Sequence, residues 1–307
     1  MNKKETEVIL QRIDKWYSHL PSLFVTDKQT FSAEYGWSKE PTTYSDRLNL
    51  EFKPIREGDE WGKKWESAWF HLKGECPEDW EGEIVVTELD FSGEGLVFDI
   101  NGKALQGITN GSIWDPNFAR TRVQILESCT KGEKIEIWVE AAANSLFGVF
   151  TDPDPEEESP KRHGWFDAKV ESLKFGKFNR DLWHLYLDVR ILRGMIKHLD
   201  EKSIQRARAI RALNDCINTF ADDQKNVEKA RTCLQKELEK KSSASDLSVS
   251  AVGHAHIDTG WLWPVRETVR KCARTFATQL NIIDSYPNYI FGASQPQHYQ
   301  FMKDHYP

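Results

Sequence analysis

Long apolar runs are missing from this chain. No stretch approaches the ~18 residues that a membrane span needs, so no transmembrane helix is expected. The opening MNKKETEVILQRIDKW scatters charges where a secretory leader would be apolar, which argues against a signal peptide and for the cytoplasm. Basic excess is missing too. Lys and Arg number 41 against 48 Asp and Glu, a net charge of -7, and no basic cluster stands out. Nucleic-acid binding is therefore not expected. Cysteine is sparse: Cys76, Cys129, Cys216, Cys233 and Cys272 lie far apart, with no CxxC. That argues against a disulfide frame or a zinc knuckle and fits reduced thiols. Asn110-Gly-Ser112 is formally a glycosylation acceptor, but without a leader it means little.

Tryptophan, by contrast, is abundant. There are twelve, and Trp37, Trp61, Trp65, Trp69, Trp80, Trp114, Trp138, Trp165 and Trp183 fall in the first two-thirds of the chain. Exposed Trp can stack on sugar rings, but core packing in a β domain is the plainer expectation for each.

Periodicity changes along the chain. Residues 6–20 place Ile9, Ile13, Trp16 and Leu20 on one helical face. Residues 30–60 read as polar and irregular. From about 65 to 175, short alternating runs follow one another: SAWFHLKG, EIVVTELDF, LVFDINGKALQG and EKIEIWVEAAA. Asn101-Gly102 between two such runs predicts a hairpin with a type I′ turn. Strands at this spacing suggest an antiparallel sandwich or jelly roll. The stretch DPDPEEESPKR (152–162) reads as a solvated acidic loop, since it lacks the spaced ligands and Gly turn of a calcium loop.

Helical stripes follow: Leu182, Leu185, Val189, Leu192, Ile196; then Ile204, Ile210, Leu213, Ile217, Phe220; then Val227, Ala230, Leu234, Leu238. They predict three antiparallel helices before a polar linker at 240–246. Next comes LSVSAVGHAHIDTGWLWP. An apolar run (247–253) suits a buried parallel strand, and Pro264 suits a helix start. Val265, Val269, Cys272, Phe276, Leu280 and Ile283 predict that helix's apolar face, and YIFGAS (289–294) a second strand. The order β–α–β–α is that of a parallel α/β sheet or barrel.

Function gathers at the carboxyl ends of such strands. His256 and Asp258, two apart, point to one side if the chain stays extended. Imidazole plus carboxylate is half of a zinc-type site. His254 shares their parity as a possible third member or as a supporting histidine. Trp261 is close enough to wall the same pocket, and Trp263 is expected in the core under the helix.

GHAHIDTGWLWPVRETVRKCARTFATQL followed by YIFGASQPQHYQFMKDHYP closely resembles the start of the catalytic domain of family 38 glycoside hydrolases, the α-mannosidases, in their cytosolic and bacterial branch. The usual motif there is HAHIDTAWLWP; Gly260 stands in place of its Ala. Upstream, WFHLKG, PEDWEGEIVV and EGLVFDINGKALQGIT resemble the branch's β-rich amino-terminal domain. The resemblance implies a catalytic (β/α)7-type barrel holding one divalent metal, usually zinc. It makes His256 and Asp258 metal ligands and Trp261 a sugar contact, with a mannose-containing oligosaccharide as substrate and retention of configuration. The family's nucleophilic Asp and last His ligand lie beyond Pro307, so no catalytic residue is assigned within this chain.

The expectation is thus a multidomain α+β chain: an amino-terminal helix (1–30), a jelly-roll-like β-sandwich (31–177), a three-helix segment (178–246), then the first βα units of the barrel (247–307). As the amino-terminal part of a longer enzyme it is expected to be inactive alone. Open strand edges at 247–253 and 289–294 should leave residues 248–307 mobile or paired with a second copy, hence a homo-oligomer. Two other readings stand beside this one. Residues 1–245 could be a carbohydrate-binding or oligomerisation module without catalysis. The HxD could also belong to another metal-dependent hydrolase, such as a deacetylase, though the resemblance runs well past it.

Overall fold

A computed structural model describes residues 3–109, 119–144, 167–240, 248–261 and 263–307. The readings made on Asn110–Ser112, on Trp114 and Trp165, on the loop 152–162 and on most of the linker 240–246 lie outside the described residues. The strands are β1 Val25–Thr30, β2 Ser32–Ser38, β3 Phe52–Pro54, β4 Glu60–Lys63, β5 Ser67–Glu75, β6 Val85–Asp90 and β7 Glu94–Phe98. They continue with β8 Ala104–Thr109, β9 Gln124–Leu126, β10 Lys134–Ala142, β11 Asp167–Lys169, β12 Ser172–Phe178, β13 Gly253–His254 and β14 Phe291–Gly292. The helices are α1 Lys3–His19, α2 Arg180–His198, α3 Ile204–Phe220, α4 Val227–Leu238, α5 Val265–Ser285 and α6 Pro296–His305.

The chain divides into two compact units. In the first, Met1–Asp27 joins Lys177–Val249, so α1 shares a unit with α2, α3 and α4. The expected stripes of α2 and α4 are largely inward: Leu182, Leu185, Val189, Leu192 and Ile196 are buried, as are Val227, Ala230 and Leu234. Ile204 departs from the α3 stripe and is exposed. It is the first helical residue after Ser203, whose hydroxyl caps the amides of Gln205 and Arg206, and the helix has not yet turned inward there. Trp16 of α1 meets Phe220 of α3 edge-on at 5.5 Å, and Tyr17 stacks on Tyr186 at 4.5 Å.

The second unit holds Lys28–Gly176 together with Ser250–Pro307. Its β part is a sandwich with sheet orders β1-β12-β6-β9 and β3-β2-β5-β10-β7-β8. One continuous core lies between the sheets, built by Tyr35, Phe70, Leu72, Ile135, Ile137 and Val139 from one side and Val85, Leu89, Leu173 and Phe175 from the other. Trp61 and Trp80 belong to that core, and the Trp61 indole donates to the Phe91 carbonyl at 3.0 Å. Packing, not display, is therefore the use of most described tryptophans in this unit. Trp37 and Trp261, 46% and 55% exposed, are exceptions.

Two local expectations are corrected. The region read as irregular contains β2, a central strand paired antiparallel with β5 from Ser32↔Lys73 to Ser38↔Ser67. Its alternation is carried by Ala33 and Tyr35 between Ser, Glu and Gly, too few large apolar residues to stand out. The hairpin at Asn101-Gly102 is present, but its turn is not type I′. That turn needs positive φ at both central residues, and only Gly102 has it, at +88°. The carboxylate of Asp99 instead accepts the amides of Asn101 and Lys103 at 2.9 and 2.8 Å, stabilising a longer loop.

The six-stranded sheet is covered on its other face as well. Trp69, Leu96, Phe98 and Trp138 point away from the sandwich core and pack with Ala273 and Ala277 of α5. The βα segment thus has a partner within the chain. α5 then leads to β14, which pairs parallel with β13 through Gly253↔Phe291 and His254↔Gly292. The β–α–β–α order holds, but β13 is far shorter than the run 247–253. A parallel strand is normally flanked and covered on both sides. Here Val249 and Val252 stay exposed.

α5 approaches β8 through a glycine. A Cβ on Gly107 would lie 2.8 Å from the Arg274 Cβ and 2.9 Å from its carbonyl oxygen. The Gly107 amide donates to Thr278 Oγ1 at 3.0 Å. Elsewhere a compatible Gly→Ala change stabilises by about 0.4–1 kcal/mol. Gly107→Ala should instead destabilise by about 1–3 kcal/mol, because the helix backbone must move. Urea denaturation checks the sign, and a raised midpoint contradicts the close approach.

Candidate functional site

α5 is seated by charge. Its buried residues are Glu267, Thr268, Arg270, Cys272, Ala273, Arg274, Ala277 and Thr278. The apolar stripe expected to be buried is partly outside: Val265, Leu280 and Ile283 are exposed. Arg270 is the pivot. Its Nη2 donates to the Ala141 carbonyl at 2.7 Å, Nη1 to Ser67 Oγ at 3.0 Å and to Glu267 at 2.8 Å, and Nε lies 2.9 Å from Glu140 Oε1. Glu140, only 3% exposed, also accepts the Tyr306 hydroxyl at 2.8 Å. One turn on, Arg274 donates to Glu94 at 3.1 Å, and Lys271 pairs with the same carboxylate. Asn144 completes that end, donating to Glu94 at 2.6 Å.

Arg270, Lys271 and Arg274 thus face Glu94, Glu140 and Glu267. Balance is what makes such burial tolerable, since an unpaired buried charge is strongly destabilising. Burial works against the Arg270 charge, but Glu267 and Glu140 outweigh it and hold the guanidinium more firmly protonated. Burial raises the Tyr306 hydroxyl, and neighbouring Glu140 adds to the effect.

This seat carries the loop that precedes the helix. Within it, Ile257 is buried while His256 and Asp258 turn outward, as their parity requires. His256 Nε2 and Asp258 Oδ1 stand 3.2 Å apart, with side chains 74% and 42% exposed. Gly260 takes φ +73°, a conformation that favours glycine. Trp261 is 55% exposed and meets the buried Trp263 edge-on at 5.5 Å. Lys271 lies over the Trp263 ring at 4.7 Å. His254 sits in β13, exposed.

Sequence reading missed the supports of this loop. Thr268 Oγ1 donates to the Asp258 carbonyl at 3.0 Å and accepts the Gly260 amide and the Trp263 indole at 2.9 and 3.0 Å. Thr259 Oγ1 meets Nε2 of the buried His298, on α6, at 3.1 Å. Burial lowers the His298 pKa and favours its neutral ring. At the head of α5, Arg266 reaches Glu40 and the Trp65 carbonyl. No motif marks these residues, although Glu140 inside the apolar IWVEAAA was a visible anomaly. The His256 nitrogen and Asp258 oxygen suit a borderline divalent cation by donor type. Among the described residues no group of three or more His, Cys, Asp or Glu gathers to hold one.

Sandwich and loop together define a chain in which a jelly roll carries the opening of a parallel α/β domain. Residues 29–169 match the family described as alpha-mannosidase, jelly roll domain, and residues 246–307 match the glycosyl hydrolases family 38 N-terminal domain. The chain thus carries an α-mannosidase-type jelly roll domain followed by the N-terminal domain of family 38 of the glycosyl hydrolases. It is 32% identical to alpha-mannosidase G of Dictyostelium discoideum, over 99% of this chain and 28% of that protein. It is 28% identical to alpha-mannosidase 2C1 of Homo sapiens, over 99% and 29%. To the alpha-mannosidase of Saccharomyces cerevisiae it is 29% identical, over 84% and 24%. The chain therefore spans less than a third of the length of these relatives. No described helix is long and apolar enough to cross a membrane.

The charge cluster has a pH signature. Burial acts to raise the Glu94 pKa, but Arg274 and Lys271 outweigh it and lower it from 4.5 to about 2. A depressed carboxylate stabilises the fold above its unfolded value, and that stability is lost as pH falls through its folded one. On the order of 3 kcal/mol should disappear between about pH 4.5 and pH 2. Glu94→Gln should be destabilised at neutral pH and lose less over that window. Acid titration of both proteins checks this; parallel curves contradict it.

Proposed function

We propose that this chain supplies the accessory jelly roll and the first metal-binding loop of a metal-dependent retaining α-mannosidase acting on mannose-containing oligosaccharides. The observation that carries the reading is the outward pair His256 and Asp258 at the carboxyl end of a parallel strand, with exposed Trp261 beside it. The similarity to alpha-mannosidases supports the substrate class. His256 and Asp258 would hold one divalent cation, zinc by donor type. When bound, such a cation supplies Lewis-acid positioning of sugar hydroxyls. Trp261 offers a flat apolar wall on which a sugar ring can rest. The two carboxyl groups that a retaining glycosidase needs are not assigned to this chain, so the chain alone is inactive in this reading.

The glycan-binding module is the weaker alternative, because the tryptophans that suggested it, Trp61, Trp69, Trp80 and Trp138, are core residues. We place the protein in the cytoplasm. All five cysteines are free, and burial raises the Cys76 thiol beside an unbridged Cys129. Exposed Val249, Val252 and Ile290 support self-association. Sedimentation velocity should find a dimer, and a monomer at every concentration tested contradicts that part.

The enzymatic reading is tested in the protein that carries this chain. Release of mannose from α-linked manno-oligosaccharides should stop on metal removal and return with zinc. His256→Ala and Asp258→Ala should each lower kcat/KM by more than about 100-fold, exceeding the effect of losing a group behind a metal ligand. Full activity in both variants after chelation would sink the assignment.

A further inference from the structure

We propose that Thr268 is the positioning residue for the His256–Asp258 loop, setting from inside α5 the backbone that carries both candidate ligands and Trp261. This rests on the functional reading above. A threonine inside a helix ordinarily bonds back to the carbonyl four residues earlier. Thr278, on the same helix, does so, donating to the Arg274 carbonyl at 2.7 Å. Thr268 does not. Its proton goes to the Asp258 carbonyl, ten residues back, at 3.0 Å. Its lone pairs take the Gly260 amide and the Trp263 indole N–H at 2.9 and 3.0 Å.

A hydroxyl has one proton to give and two acceptor positions. All three are spent on the loop, and Thr268 itself is fully buried. The three partners are well chosen for holding shape. One is the backbone of Asp258. The second is the amide of Gly260, where the chain turns at φ +73°. The third is the ring of Trp263, which in turn meets Trp261. A fixed Asp258 carbonyl and a fixed turn at Gly260 leave the Asp258 side chain facing His256. Helix propensity gives no reason for threonine here, since β-branched residues are weaker helix formers than alanine or leucine. The cluster around Arg270, two residues on, anchors the same turn of α5 to β5 and β10.

The test compares Thr268→Val, which keeps the shape and removes the hydroxyl, with Thr268→Ser, which keeps the hydroxyl, in the full chain. Nitrogen-15 NMR should find the wild-type Gly260 amide and Trp263 indole proton protected from exchange, although the loop is largely exposed. The valine variant should speed both by at least about tenfold while β5 and β10 amides are unchanged, and the serine variant should match wild type. Titration with zinc chloride should find affinity weakened about 10- to 100-fold by valine and restored by serine, the range for a group supporting metal ligands. Fast exchange of Gly260 in the wild type overturns the proposal, and does so even if the valine variant fails to fold. Faster exchange in the valine variant with unchanged zinc affinity overturns it too. No zinc uptake by wild type, with exchange behaving as expected, overturns the functional reading but supports the hold of Thr268 on the loop.

Discussion

The ion pair between Arg270 and Glu140 is the contact on which the rest of the second unit depends. Glu140 projects from β10 on the face that the strand's alternation would turn to solvent, and α5 covers it. The two charges cannot be separated cheaply once buried, so they fix helix rotation and axial position together. Apolar contact alone, between Trp69, Leu96, Phe98, Trp138 and two alanines, would tolerate a slide or a turn of the helix. A guanidinium forked between Glu140, Glu267, Ser67 and the Ala141 carbonyl does not. We take specificity, more than net stability, as the use of this cluster. Buried ion pairs are weak stabilisers relative to apolar packing, but strongly destabilising when broken.

From that pivot the constraint passes along one turn of helix. Glu267 and Arg270 lie on either side of Thr268 in sequence, and Thr268 binds the backbone of Asp258 and Gly260 and the Trp263 indole. The loop's chemical groups face outward while its backbone is bound inward. His256 and Asp258 face outward, 3.2 Å apart, on a turn tied from within by Thr268. His298 adds a second tie from α6 through Thr259. The jelly roll is thereby more than a separate module, because its strands β5, β7 and β10 supply the partners that seat α5.

Much of this was legible in the sequence wherever burial followed one residue class. The α2 stripe, the alternating strands β5, β6 and β10, and the helix opening after Pro264 all obey simple periodicity. The resemblance to family 38 agrees with the domains matched over residues 29–169 and 246–307. What escaped followed other rules. β2 alternates on Ala33 and Tyr35, with too little apolar mass to signal a strand. The turn after β7 is governed by the Asp99 carboxylate, which competes with the Asn-Gly preference. α5 buries its charged and small residues because the facing sheet presents carboxylates and a glycine, a fact of tertiary pairing invisible to a single helix. Thr268 makes no pattern at all, since its role lies in three hydrogen bonds to one loop.

The central claim is that charge pairing with the jelly roll, not helix propensity or apolar packing, keeps α5 in place. Native-state hydrogen exchange of Arg270→Met tests it most directly, because methionine retains volume and removes the charge. Protection of amides 268–280 should fall by about 3–5 kcal/mol, the effect of stranding a buried carboxylate, while β5 and β10 keep most of theirs. Unchanged protection of α5 in that variant would contradict the account.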